Sequence, residues 1–395
     1  MLKGQVVIMG HHHKNFHFEY KNIILFGVII IATVLLAILI ILGNKRDQED
    51  SVRLKQLNSE IEQEEHAEEK KTALKNANDS FYQKLSDGFD VNVLVVGDSI
   101  GAGSGTETNG KQWFSQLSSY LGTTYKSKIK LTNISMGGNA SYAGYVRTRI
   151  VNDDVSYDLA IICYGQNDGL SGFSTNYESI IRAIEKKYPD CSIISILESS
   201  QRKYTEKMKT IQSITDHYKI PVVDTIAAFN NSGIKYSKLS SDGVHPNDAG
   251  QDIYFKAVKS VINKHVKSKT KKMSSVDPVN TGVKKFDNFV WYGIGESSKD
   301  ENSGFERTDD TTFTLKATAS GVMGIDYTYE SGSNKAKVYV DGSIYTSPTV
   351  NFNHDFSQRR ILVISDDCTV KNEIKVVFNS KEQADGFKGM CFSWE

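Results

Sequence analysis

The sequence predicts an α/β domain built on a parallel sheet, followed by a smaller all-β sandwich. Residues 91–96 hold five apolar side chains, four of them β-branched valines, which is typical of a strand buried on both faces. From there to residue 267, short apolar runs alternate with amphipathic segments, as in βα units around a parallel sheet. Beyond residue 280 the apolar residues recur with a period of two, which indicates strands with one buried face.

Composition limits the classes of protein to which the chain can belong. Its 395 residues suggest two domains with accessory segments. Lys+Arg and Asp+Glu are equal at 47 each, so no charge bias favours nucleic acid, and we expect no nucleic-acid partner. The four cysteines fit neither a disulfide-dense scaffold nor a paired metal-knuckle spacing, and a Cys368–Cys391 disulfide stays open.

The N-terminal segment predicts a membrane anchor. Residues 23–42 carry no charge, and twenty apolar residues match a hydrocarbon core of about 30 Å. A cleaved signal peptide, the alternative, has an apolar region of only about 7–15 residues that ends at a small-residue site. We therefore predict a single-pass helix at 23–42 and a short cytoplasmic tail at 1–22. Charge counts on the two sides are nearly even and slightly favour the opposite orientation, but long domains translocate largely regardless of charge.

Residues 43–87 form a charge-dense segment without proline, which we interpret as a helical stalk. Leu54, Leu57 and Ile61 recur at helical spacing, but a run of glutamates then interrupts the apolar seam that a coiled coil requires. The pattern favours a solvated spacer and leaves weak dimerisation through the stalk as the alternative.

Small polar clusters follow the first three predicted strands. Ser99 lies in a Gly-Asp-Ser turn after the first strand, Gly138 follows the second, and Asn167 follows the third. Asp242 and His245 precede the last helix of this domain. Because the carboxyl ends of parallel strands meet at one edge of the sheet, these residues are expected to lie together.

These residue types suit nucleophilic catalysis by serine. A serine hydroxyl is a poor nucleophile until an imidazole accepts its proton, and a carboxylate must orient that imidazole. Asp242 and His245, three residues apart, can point the same way. The N–H groups of Ser99 and Gly138 and the side-chain amide of Asn167 are available to stabilise an oxyanion.

The four motifs, in this order and spacing, resemble the GDSL/SGNH hydrolase superfamily over residues 91–267. The resemblance implies a three-layer, flavodoxin-like domain at 88–267, with Ser99 as nucleophile, His245 as general base and Asp242 orienting it. It also implies an oxyanion hole of Ser99, Gly138 and Asn167, with Gly137 as the competitor of Gly138. We expect no metal and no cofactor.

Other polar residues near the predicted strand ends have weaker assignments. Asp98 and Asp168 are expected to hold turns or cap helices. Asn139 and Tyr164 are candidate substrate-binding residues, as are Glu198 and Arg202 with less support.

Residues 268–280, rich in lysine and serine, are predicted to be a linker, and 281–395 to be a β-sandwich of jelly-roll type. Asp341-Gly342 between apolar alternations predicts a hairpin turn. Four aromatic residues fit either a sugar-stacking platform or core packing, namely Trp291, Tyr292, Tyr327 and Tyr329.

Together these features lead to one expectation and two alternatives. We expect a membrane-anchored, extracellular serine esterase that hydrolyses small acyl esters, O-acetyl above all, on a cell-surface or environmental glycan. The alternatives are a glycan O-acetyltransferase that uses the same triad and a surface glycan-binding protein with a decayed enzyme domain.

Overall fold

The computed structural model describes residues 20–76, 80–151, 154–268, 270, 276–295, 304–329, 332–346, 349–352 and 357–395. The chain divides into two compact units, Met1–Lys75 and Asn76–Glu395.

The described residues of the first unit lie in one long helix, α1 (Tyr20–Asn76). Within the described part of the chain, the Gly27–Glu64 segment alone is apolar and long enough to cross a membrane by length and composition. The predicted span and most of the predicted stalk are therefore continuous parts of one helix. Leu54, Leu57 and Ile61 of the stalk are exposed.

The second unit begins with alternating helices and strands. They are α2 (Phe81–Ser86), β1 (Val91–Gly97), α3 (Trp113–Tyr125), β2 (Ile129–Asn133), α4 (Ser141–Ile150), β3 (Leu159–Cys163), α5 (Phe173–Lys187), β4 (Ser192–Leu197), α6 (Glu206–Tyr218), β5 (Val222–Asp224), α7 (Thr225–Asn230) and α8 (Asp248–Lys267). The strands pair in parallel in the order β2-β1-β3-β4-β5, which confirms the flavodoxin-like prediction.

Helices cover both faces of this sheet. Successive residues of β1 point to opposite faces, so Leu94 and Val96 pack with α4, α5 and α6, while Val93 and Val95 pack with α2, α3 and α8. Helix α2 extends the folded unit N-terminal to the predicted boundary at residue 88. Its apolar residues lie one turn apart and are buried, although they follow the stalk without a break in the charge pattern.

The described residues of the C-terminal part form strands, one short α-helix and a 3-10 helix at Thr281–Phe286. Its elements are β6 (Asn288–Gly293), β7 (Glu306–Arg307), β8 (Thr312–Lys316), β9 (Ala319–Tyr329), β10 (Gly332–Val340), β11 (Ser343–Thr346), β12 (Thr349–Phe352), β13 (Gln358–Val370), β14 (Glu373–Phe378), α9 (Lys381–Asp385) and β15 (Phe387–Trp394). One sheet has the order β11-β10-β14-β8-β7, with β12 beside β10, and the other has the order β13-β9-β15-β6. This confirms the two-sheet prediction; the jelly-roll type stays a prediction.

The predicted hairpin turn joins β10 to β11. Asp341 and Gly342 both have positive φ, 49° and 82°, as a two-residue type I′ turn requires. Asp341 also accepts backbone hydrogen bonds from residues 371–373, which fixes the turn against the start of β14.

The sandwich and the α/β domain share a hydrophobic core. The outer face of the β13-β9-β15-β6 sheet contributes Val322, Ile361 and Cys391 to the same cluster as Tyr142 and Tyr145 of α4. The Tyr142 hydroxyl lies 3.3 Å from Cys391 Sγ. All four cysteines are free and buried, so the Cys368–Cys391 disulfide left open by the sequence does not form.

Candidate active site

Ser99 lies in a tight turn directly after β1. The side chain of Asp98 accepts the Ile100 N–H at 2.9 Å, and its backbone carbonyl accepts the Ala102 N–H at 2.9 Å. Gly97 permits the close approach of β3, because a Cβ there would lie 2.6 Å from the Cys163 carbonyl oxygen. These contacts carry Ser99 to the carboxyl edge of the sheet, and Asp98 supports the turn as predicted.

The structure brings Ser99, His245 and Asp242 together in one chain of hydrogen bonds. His245 Nε2 lies 2.9 Å from Ser99 Oγ, and His245 Nδ1 lies 2.6 Å from Asp242 Oδ2. The other carboxylate oxygen of Asp242 accepts the backbone N–H groups of Val244 and His245, each at 2.8 Å. A hydroxyl, an imidazole and a carboxylate linked in this way can transfer a proton from the serine to the histidine.

Hydrogen bonds keep Asp242 ionised. Partial burial raises the pKa of this carboxyl, but the Val244 N–H, the His245 ring and the His245 N–H together lower it well below its usual range. Asp242 is therefore a permanent acceptor for His245 Nδ1–H, and an imidazole bonded in this way turns Nε2 towards Ser99.

The buried side chain of Gln251 on α8 ties the histidine loop to the serine loop. Its Oε1 accepts the Trp113 N–H at 3.0 Å, and its Nε2 donates to the carbonyls of Ser104 and Pro246 at 3.3 and 3.1 Å. Asn247 caps the N-terminus of α8 by accepting the N–H groups of Ala249 and Gly250. Sequence reasoning missed Gln251, although an uncharged polar residue on an apolar helix face is a usable signal.

The predicted oxyanion donors differ in availability. Neither the Ser99 N–H nor the Gly138 N–H donates to any residue that the structure describes. Gly138 has a φ of +70°, a conformation that favours glycine. Asn167 Nδ2 donates to Asp98 Oδ2 at 3.3 Å and to the Asn139 carbonyl at 3.1 Å. To donate to an oxyanion, Asn167 Nδ2 would therefore have to give up one of these two long hydrogen bonds.

Two buried carboxyls lie beneath the serine turn. Asp98 and Glu198 are fully buried and interact with each other at the ends of β1 and β4. Burial raises the pKa of Asp98 to about 7 and that of Glu198 well above its ordinary value. Asp168 has a capping role, as predicted, because it accepts the Ser141 N–H at the start of α4 at 2.9 Å.

The two candidate substrate-binding residues are both fully buried. Asn139 bonds the sandwich domain, with Nδ2 on the Arg359 carbonyl and Oδ1 on the Ile361 N–H, each at 2.9 Å. Tyr164 packs on Gly144 of α4, where a Cβ would lie 2.5 Å from the ring. This burial does not favour direct contact with a substrate.

The aromatic residues of the sandwich divide between two surroundings. Tyr292, Tyr327 and Tyr329 are buried in the core between the two sheets, which fits the packing alternative. Trp291 is partly buried against the core shared by the two domains. Among the described residues, no group of three or more His, Cys, Asp and Glu side chains lies close enough to hold a metal ion.

Comparisons with known proteins agree with this geometry. Residues 95–253 match the sequence model of the GDSL-like lipase/acylhydrolase family. Among curated proteins, none matches the chain.

Similar solved structures include two of a two-domain esterase (CEX) active on acetylated mannans. The one co-crystallized with mannopentaose has 16% identity and a TM-score of 0.64, and covers 81% of this chain and 96% of that chain. The other has 17% identity and a TM-score of 0.61, and covers 79% of this chain and 93% of that chain. A catalytic mutant of Axe2, an acetylxylan esterase from Geobacillus stearothermophilus, has 19% identity and a TM-score of 0.39. It covers 45% of this chain and 96% of that chain. At these identities, the two CEX structures show a common two-domain fold.

Proposed function

We propose that this chain is a serine ester hydrolase that removes O-acetyl groups from a glycan; its residues 95–253 match the sequence model of the GDSL-like lipase/acylhydrolase family. The observation that carries the proposal is the continuous chain of hydrogen bonds from Ser99 through His245 to Asp242.

Catalysis proceeds through an acyl-enzyme on Ser99. Ser99 Oγ attacks the ester carbonyl while His245 Nε2 takes its proton, and ionised Asp242 stabilises the imidazolium. His245 then gives the proton to the departing sugar oxygen as the ester C–O bond breaks. A water molecule then attacks the acyl carbonyl while His245 takes its proton, and the acyl–Oγ bond breaks as His245 returns that proton to Ser99 Oγ and acetate leaves.

The developing oxyanion is stabilised by hydrogen-bond donors from the loops that follow β1, β2 and β3. The N–H groups of Ser99 and Gly138 supply two donors, and Asn167 supplies a third when its amide turns from Asp98 or Asn139. Each such donor is typically worth about 3 kcal/mol of transition-state stabilisation. Gly137 is the alternative to Gly138, since a Cβ on Gly137 would lie 3.7 Å from Ser99 Cβ.

An acetylated polysaccharide is the substrate that the two-domain arrangement supports best. The CEX structures combine a similar hydrolase domain and sandwich over about four-fifths of this chain, and that enzyme is active on acetylated mannans. In this chain the C-terminal sandwich is bonded to the α/β domain through Asn139, in the loop after β2, and β13.

Acetate release from acetylated mannan oligosaccharides tests this function. We expect the full chain, purified in detergent, to release acetate, and Ser99→Ala to lose at least about 10³-fold in kcat/KM because the acyl-enzyme cannot form. Comparable acetate release by wild type and Ser99→Ala would rule out the proposed nucleophile. Transfer of the acetyl group to added oligosaccharide, in preference to water, would indicate an acetyltransferase.

We also propose that α1 anchors the enzyme in a membrane, with the N-terminus cytoplasmic and the hydrolase outside. The support is the uncharged segment at 23–42, inside a helix that meets the length and composition of a span. Protease treatment of intact cells is expected to release the hydrolase domain while the membrane stays sealed. Full protection of that domain would reverse the orientation.

A further inference from the structure

The sandwich domain contributes a polar side chain to the rim of the candidate active site. Gln358, the first residue of β13, is half-buried and lies against Gly138. A Cβ on Gly138 would come within 2.6 Å of both Cδ and Oε1 of Gln358. A Cβ on Gly137 would lie 3.6 Å from Gln358 Nε2 and 3.7 Å from Ser99 Cβ. The Gln358 amide and the Ser99 side chain therefore both lie next to Gly137, and Gln358 also lies against Gly138.

Contacts on both sides of β13 fix the position of Gln358. The buried amide of Asn139 bonds the Arg359 carbonyl and the Ile361 N–H, as a neighbouring strand would. The Arg359 guanidinium donates two hydrogen bonds to the fully buried Asp326, at 2.8 and 2.6 Å. Such bidentate pairs are strong and geometrically specific. The strand cannot slide by one residue without breaking both sets of bonds.

The Gln358 side chain has hydrogen-bonding capacity to spare. Its amide carries two N–H donors and an acceptor oxygen, and its side chain forms no hydrogen bond with any residue in the described ranges. A glycan ring presents hydroxyls, which are both donors and acceptors, beside the ester that is being cleaved. A simple aryl acetate presents none.

We propose that Gln358 is a specificity-determining residue, whose amide hydrogen-bonds a hydroxyl or ring oxygen of the sugar that carries the ester held at Ser99. This proposal rests on the proposed esterase function and names the residue of the sandwich that binds the sugar part of the ester. A site built to bond a substrate hydroxyl discriminates strongly against analogues that lack it. The sandwich domain thereby favours polyhydroxylated esters.

The test compares two substrates in one variant. Gln358→Leu keeps the size of the side chain and removes its polar atoms. We expect the ratio of kcat/KM for an acetylated mannan oligosaccharide to kcat/KM for p-nitrophenyl acetate to fall about tenfold, the effect of one lost hydrogen bond. Ser357→Ala, at the exposed neighbouring position, is the matched control and is expected to leave the ratio unchanged.

A second measurement distinguishes a loss of sugar binding from a variant that folds incorrectly. Deacetylated oligosaccharide should inhibit p-nitrophenyl acetate hydrolysis by wild type and by Gln358→Ala, with an inhibition constant about tenfold higher in the variant. An unchanged ratio and an unchanged inhibition constant would overturn the proposal, as would an equal loss on both substrates. Failure of the esterase function itself is distinct, since Ser99→Ala would then match wild type on either substrate.

Discussion

Asp98 lies beside the proposed nucleophile, but its side chain serves the turn and the buried interior. It accepts the Ile100 N–H, interacts with Glu198, and is fully buried without a basic side chain in hydrogen-bond contact among the described residues. Burial raises its pKa to about 7, so the folded protein holds a proton that the unfolded chain has released above its ordinary pKa. Asp98 therefore lowers the free energy of unfolding as the pH rises from about 4 to 7.

Replacing the Asp98 carboxyl tests whether its raised pKa makes the free energy of unfolding depend on pH. Asp98→Asn keeps an acceptor for the Ile100 N–H and cannot ionise. Its free energy of unfolding, relative to wild type, is expected to rise by about 2–4 kcal/mol between pH 4 and pH 8. Urea unfolding followed by tryptophan fluorescence measures this, because Trp113, Trp291 and Trp394 all lie in the second unit. A difference that is independent of pH would contradict the pKa assignment.

At the residue scale, the sequence predicts side chains whose partners are local. Asp242 and His245 share one turn, and the roles of Asp98 and Asp168 follow from their places after strands. Asn139 and Gln358 could not be placed in this way. The Asn139 amide is bonded by a strand 220 residues away in sequence, and no local pattern marks that contact.

At the scale of elements, the structure gives the C-terminal part of the predicted linker a definite attachment to α5. The buried carboxylate of Glu178 accepts the Val279 N–H, the Asn280 N–H and side-chain amide, and the Tyr218 hydroxyl, at 2.6–2.9 Å. Glu178 therefore fixes where the chain leaves the α/β domain for the sandwich.

Glu178→Gln places an amide donor among these donors. We expect it to lower the free energy of unfolding by about 2–3 kcal/mol, the size of lost bonds to a charged group. The matched control is Glu206→Gln on α6, whose ion pair with Lys209 is exposed and worth about 0.5 kcal/mol or less. Urea titrations of both variants measure the difference. Equal effects would mean that the Glu178 contacts contribute no more than a surface pair.

Element boundaries are least predictable where charge patterns run on without a break. Helix α1 joins the span to the stalk, and α2 follows with three buried residues that look like a continuation of the stalk. The strands of the parallel sheet are clear from their valine and isoleucine content, because both faces are buried. The period of two in the sandwich likewise follows from its single buried faces.

At the scale of the molecule, the second unit contains an α/β domain and a β-sandwich that share one hydrophobic core. Its shared core joins α4 to the sheet that contains β13, and the same contact sets Gln358 beside Gly138. The sequence predicts the two domains but not the contact between them. The residues at that contact are apolar and do not differ in type from those that fill the interior of each domain. The sandwich is consequently part of the proposed site rather than an appended module.

Covalent labelling tests the central claim most directly. The full chain is treated with an organophosphonate that phosphonylates activated serines irreversibly, and the adduct is located by peptide mass mapping. We predict one adduct, on Ser99, and a labelling rate at least about a hundredfold lower in His245→Ala, because the general base is lost. An adduct on another serine, or an unchanged rate in His245→Ala, would contradict the account.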